Sequence, residues 1–160
     1  GGQTRIEKLY GLIQECRYGI HDLSRTELDD VNQLPRFNMP LELGLFLGAK
    51  RYGDKAQHDK RLLILDIERF RYQKFISDLA GMDIHEHGGK PEAAVRETRD
   101  WLANVSRRLI ASGDKIVRSY LQFNADLPAL AAALEFEADK IPYIDLERIV
   151  VGWLTADPRA

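Results

Sequence analysis

The chain has 160 residues, 44% of them hydrophobic and 30% charged, enough apolar content for a core and too much for a disordered segment. With 23 basic against 25 acidic residues the formal net charge is -2, which excludes a broad attraction to nucleic acid or to an anionic membrane. Cys16 is the sole cysteine, so no intramolecular disulfide can form, and a reducing, cytoplasmic setting is the simplest reading. No apolar run approaches the roughly 20 residues of a membrane helix, and the N-terminus lacks the basic-then-apolar order of a signal peptide.

The stretch "TRIEKLYGLIQEC" sets Ile6, Leu9, Tyr10, Leu12 and Ile13 at helical spacing, with Thr4 or Gln3 near the cap. "RYGIHDLS" has β-branched and aromatic character and predicts a strand over about 17–22. "SRTELDDVNQLPRF" is polar, carries a proline and keeps no steady period, so it reads as a long loop of the kind that often serves function. "NMPLELGLFLGAKRYG" then predicts a largely buried helix, with Asn38 as N-cap, Pro40 tolerated in the first turn, and Gly53 and Asp54 as its end.

"KRLLILDIE" is a continuous apolar run between charges, the pattern of a strand buried on both faces. "RYQKFISDLAGMDI" predicts a short amphipathic helix closed by Gly81, and "DIHEHGG" a brief last strand or an irregular edge. From Pro91 onward the spacing is helical throughout, with Pro128 and Pro142 expected to divide the last stretch into three helices. Helix and strand alternate in the first half, which calls for a parallel sheet with right-handed crossovers. The expected fold is therefore α/β: an α/β core over 1–90 and a helical extension over 91–160.

In an open parallel sheet, ligands bind beyond the carboxyl ends of the strands. Asp22 ends the first predicted strand and Glu42 lies early in the following helix, so the topology sends both acids to one edge. A carboxylate there could attack an anomeric carbon, or stabilise the oxocarbenium-like charge of a breaking N-glycosidic bond, while the second acid orients it or passes a proton. The plainer alternatives are dipole compensation for Glu42 and a turn residue for Asp22.

"IHDLS" followed by "FNMPLELGLFLG" resembles the nucleoside 2-deoxyribosyltransferase-like group and the related bacterial Toll/interleukin-receptor-like nucleotide-binding domains. The resemblance implies a flavodoxin-like layout, with Glu42 of Glu42-Leu43-Gly44 as nucleophile and Asp22 as its assistant. It also implies Asn38 near the sugar, and Ser24, His21 and His85 are further candidate substrate contacts. NAD is a possible substrate by the same likeness, and no resident cofactor is implied. Members of these families open with a strand and helix that precede the segment beginning here, so a missing N-terminal segment is expected. The helical stretch after Pro91 has no counterpart in the transferases.

Weaker signals complete the reading. His85 and His87 would share one face of an extended segment, but two imidazoles fall short of a zinc ligand set, and no metal is expected. Either could instead contact a ligand or donate a proton. Cys16 reads as a buried structural thiol. Arg107, Arg108, Lys115 and Arg118 read as a solvated helix face, and Trp101 and Trp153 as helix-contact residues. The expected partners are a nucleoside or nucleotide, with a second copy of the chain as a further candidate and without membrane or nucleic acid. The rival reading is a non-catalytic nucleotide sensor or oligomerising adaptor in bacterial defence or signalling.

Overall fold

The computed structural model describes residues 4–156, and the chain forms two compact units that divide between Arg107 and Arg108. The first unit begins with helix α1, Arg5–Glu15. Thr4 caps it reciprocally, its hydroxyl accepting from the Glu7 amide at 3.3 Å while the Glu7 carboxylate accepts from the Thr4 amide at 2.7 Å. A box of this kind satisfies two otherwise unbonded donors and stabilises a helix by about 1 kcal/mol. Gln3, the other cap considered, lies outside the described residues.

Strands β1 (Tyr18–Asp22), β2 (Arg61–Asp66) and β3 (Ile84–Glu86) form one parallel sheet in the order β1-β2-β3. Tyr18 is in register with Arg61 and Asp22 with Leu65, and Ile64 is in register with Ile84. The central strand carries the burial its composition predicts, with every residue from Leu63 to Asp66 buried. Between β1 and β2 come helix α2, Asn38–Tyr52, and the single turn α3, Lys55–His58.

Pleating divides the side chains between two faces. Gly19 and His21 point to α2, where the His21 ring meets Phe46 edge-on at 5.3 Å. A Cβ on Gly19 would lie 2.8 Å from the Phe46 ring, so glycine is what lets the helix approach this closely. Tyr18 points the opposite way and meets Trp101 of helix α4 (Pro91–Ser106) edge-on at 5.9 Å. The core on the α2 side gathers Leu23, Leu43, Ile64, Tyr72, Leu79 and Ile84, each fully buried side chain contributing about 1.5–3 kcal/mol.

Lys60, just before β2, is fully buried. Its ammonium donates to the carbonyls of Ile13 and Cys16 and sits 4.9 Å from the Phe46 ring centroid. It therefore satisfies orphan carbonyls at the end of α1, and desolvation holds its pKa below the usual lysine value.

Several expectations are corrected. Phe37, not Asn38, is the N-cap of α2, and no side chain caps it; Asn38 is the first helical residue. Only Leu43 and Phe46 of that helix are buried, while Leu41 stays 54% exposed. The helix expected over 71–80 is two 3₁₀ turns, Arg71–Lys74 and Ser77–Leu79. Between them Phe75 and Ile76 leave the helical region, with φ of -135° and -142°, which divides the stretch. Cys16 is exposed rather than buried, because it terminates α1 at the surface.

The first unit includes α4 and extends through Arg107. The second unit holds α5, Gly113–Ala133, and α6, Tyr143–Ala156. Pro128 lies inside α5 instead of ending it, so two helices stand where three were expected. Packing offsets the lost hydrogen bond: Trp153 of α6 meets Phe123 of α5 at 5.5 Å and donates to Asp126 at 2.9 Å. Arg107 and Arg108 precede α5, so the basic cluster spans a helix end, a connection and a second helix rather than one face. No helix among the described residues is long and apolar enough to cross a membrane.

Candidate functional site

All three strands end at one edge of the sheet, each on an acid, Asp22, Asp66 and Glu86. Asp22 closes β1, where the Leu23 amide continues the ladder to the Leu65 carbonyl at 2.8 Å. The Asp22 carboxylate bends back to accept from the Ser24 amide at 2.9 Å, the local turn that aspartate forms readily. Ser24 is itself buried.

His87, one residue beyond β3, is buried against the same acid, its Nε2 lying 3.4 Å from Asp22 Oδ1. The Gly89 amide donates to His87 Nδ1 at 3.2 Å. A neutral imidazole has one donor and one acceptor nitrogen, so the ring proton resides on Nε2 and is directed at Asp22. The arrangement is a histidine–carboxylate pair whose carboxylate remains partly open to solvent.

Asp66 closes β2 and is completely buried. Arg71 neutralises it, Nε donating to Oδ1 at 2.8 Å and Nη2 lying 2.7 Å away. The same guanidinium donates to the Leu23 carbonyl at 2.8 Å, tying the end of β1 to the turn after β2. Oδ1 also accepts from the Ile67 amide at 2.8 Å, while Oδ2 has no hydrogen-bond partner. Neither Asp66 nor Arg71 stood out in the sequence. The available signal was an acid ending a wholly apolar strand with an arginine five residues on.

Glu42 lies in the second turn of α2, half-buried, with no hydrogen bond or ion pair among the described residues. Its neighbour Leu43 shares the core with Leu23, the neighbour of Asp22. That packing brings α2 over the end of β1, though no hydrogen bond joins the two acids. Asn38 stands at the exposed start of the same helix.

The remaining sequence candidates lie elsewhere. His21 is buried mid-strand under Phe46 with Nε2 unpartnered, and desolvation lowers its pKa to about 4. His85 is engaged by acids on both sides: Nδ1 is 2.6 Å from Glu97 of α4 and Nε2 is 3.3 Å from Asp83. The sheet edge thus brings Asp22, Ser24 and His87 together and leaves His21 and His85 in other settings. No group of three or more histidine, cysteine, aspartate or glutamate residues among those described could hold a metal ion. The chain matches no protein-family model, no curated protein and no solved structure.

Proposed function

We propose that this α/β domain binds a nucleoside or nucleotide at the carboxyl edge of its sheet and cleaves or transfers at the N-glycosidic bond. The observation that carries the reading is the state of Glu42: a half-buried carboxylate, bound to nothing among the described residues, on the helix packed over the end of β1. A carboxylate serving only to complete the fold would be paired or fully hydrated. One left unengaged beside strand ends is available to a ligand.

In the proposed reaction a Glu42 oxygen bonds to the anomeric carbon as the C–N bond to the base breaks. The departing base takes up a proton from solvent water relayed by the Asp22 carboxylate, which the hydrogen bond from His87 Nε2 holds in place. Water or an acceptor base then displaces Glu42 from the sugar. Asn38 and the first-turn amides of α2 provide hydrogen bonds for the sugar or a phosphate.

The test is chromatography of the parent protein and Glu42→Gln after incubation with NAD and with a panel of nucleosides and nucleotides. Free base is expected from the parent and a loss of at least about 100-fold from the variant, the scale of a missing catalytic group. Absence of turnover by a folded parent would reject the catalytic reading. The sensor or adaptor would then take precedence, a reading favoured by exposed Leu121 and Leu134 on and after α5 and by Ile144, Val151 and Leu154 on α6. Apolar side chains left in water on helices suit contact with another copy of the chain.

A further inference from the structure

The opposite edge of the sheet, where the strands begin, has different chemistry. Arg17 precedes β1 and Arg61 opens β2, and the two are joined by the Arg61 amide donating to the Arg17 carbonyl at 2.9 Å. The Tyr18–Trp101 contact brings α4 alongside, so the end of that helix delivers Asn104, Ser106 and Arg107 to the same place. Together these residues line a cavity of about 440 Å³, within the range of small-molecule sites.

No carboxylate among the described residues lines this cavity. None of its arginines makes an ion pair among the described residues. Arg61 reaches only the neighbouring Lys60 carbonyl, at a long 3.5 Å, and Arg17 lies over the Tyr18 ring with Cζ 5.7 Å from its centroid. Three guanidiniums repel one another unless something neutralises them. The last carbonyls of α4 carry only partial negative charge and lessen that repulsion without removing it.

Arg107 adds an independent sign. It ends α4 in the left-handed conformation, with φ at 54°, a place where glycine or asparagine is the favoured residue. A β-carbon there carries a backbone cost that glycine avoids. The cost is explained if the side chain has work in the cavity, an inference from strain to function.

We propose that this cavity binds the oligophosphate group of a small molecule. A guanidinium presents parallel donors that match adjacent phosphate oxygens, and several phosphates in a row can engage several guanidiniums at once. The volume exceeds what a single phosphate fills. The arginines are gathered in a concavity instead of drawn out as a stripe, and the chain is acidic overall, which favours a compact anion over a nucleic acid backbone. The site is separate from the proposed nucleoside edge, since β1 has five residues and therefore extends over roughly 15 Å.

The proposal is tested by titration calorimetry of the intact chain with inorganic tripolyphosphate at low salt. Tripolyphosphate lacks base and sugar, so failure of the nucleoside reading leaves this result unaffected. Saturable binding near one equivalent is expected, weakened about tenfold or more by Arg61→Ala or Arg107→Ala and unchanged by Arg148→Ala on α6. Arg61→Lys and Arg107→Lys, which keep the charge and lose the fork, are expected to bind with intermediate affinity and guard against an alanine variant that does not fold. ATP should compete with tripolyphosphate for this cavity and adenosine should not if the phosphates are what is recognised. Absence of binding, equal weakening by Arg148→Ala, or binding of adenosine but not tripolyphosphate at this cavity would overturn the assignment. A single-stranded oligonucleotide binding more tightly than tripolyphosphate, and lost in the same variants, would overturn it in favour of nucleic acid.

Discussion

The two edges of the sheet make opposite use of arginine. At the carboxyl edge Arg71 is largely buried, with Nε bonded to Asp66 and Nη2 to Asp66 and the Leu23 carbonyl. At the amino edge Arg17, Arg61 and Arg107 are exposed and have no acidic partner among the described residues. Burial with a partner makes a guanidinium part of the fold, whereas exposure without one leaves it free for a ligand. Position at an end of the sheet does not decide which; the surroundings do.

The comparison breaks first at Arg71. Arg71→Ala leaves Asp66 charged, buried and alone, so a loss of roughly 3–5 kcal/mol is expected, read as a lower denaturation midpoint in urea. An effect within experimental scatter would show that water replaces the guanidinium and that the edge is open.

One residue short of the carboxyl edge, His21 sharpens the contrast through pH. Its imidazole takes up a proton near 6.5 when unfolded but only at about 4 when folded. The unfolded state therefore binds protons first as pH falls, and the native state loses stability progressively across that window. Relative to His21→Leu, the parent is expected to lose on the order of 3 kcal/mol between neutrality and pH 4. Parallel stability profiles for the two proteins would mean that water or a partner reaches the ring.

The smallest effect belongs to the amino edge. Arg61→Ala should change stability by no more than about 0.5 kcal/mol, as expected of an exposed side chain without partners, while removing the anion affinity described above. A large loss of stability from this variant would erase the difference between the edges.

The sheet was legible because β2 is a continuous apolar run and β1 ends in a turn-forming acid. Helices α1, α4 and α6 follow from their spacing. What failed to show were features decided by contacts remote in sequence. The 71–79 stretch has helical spacing, but Arg71 is drawn to Asp66 and to Leu23, and the chain there winds as 3₁₀ turns. Pro128 reads as a helix breaker until the packing of Trp153 against Phe123 is known. At the candidate site, Asp22 and Glu42 were visible as acids beside apolar runs. His87 could be recognised as the partner of Asp22 only once β3 was in place, because the residues are joined through the sheet and not through the chain.

The strand order has a consequence for how the protein is made. Strands β1, β2 and β3 are spatial neighbours in the order of synthesis. Each new strand emerging from the ribosome can therefore add to an open edge already present, β2 on β1 and β3 on β2. None has to be threaded between strands that have already paired, so this part of the sheet can grow with the chain and never needs to be taken apart to be completed.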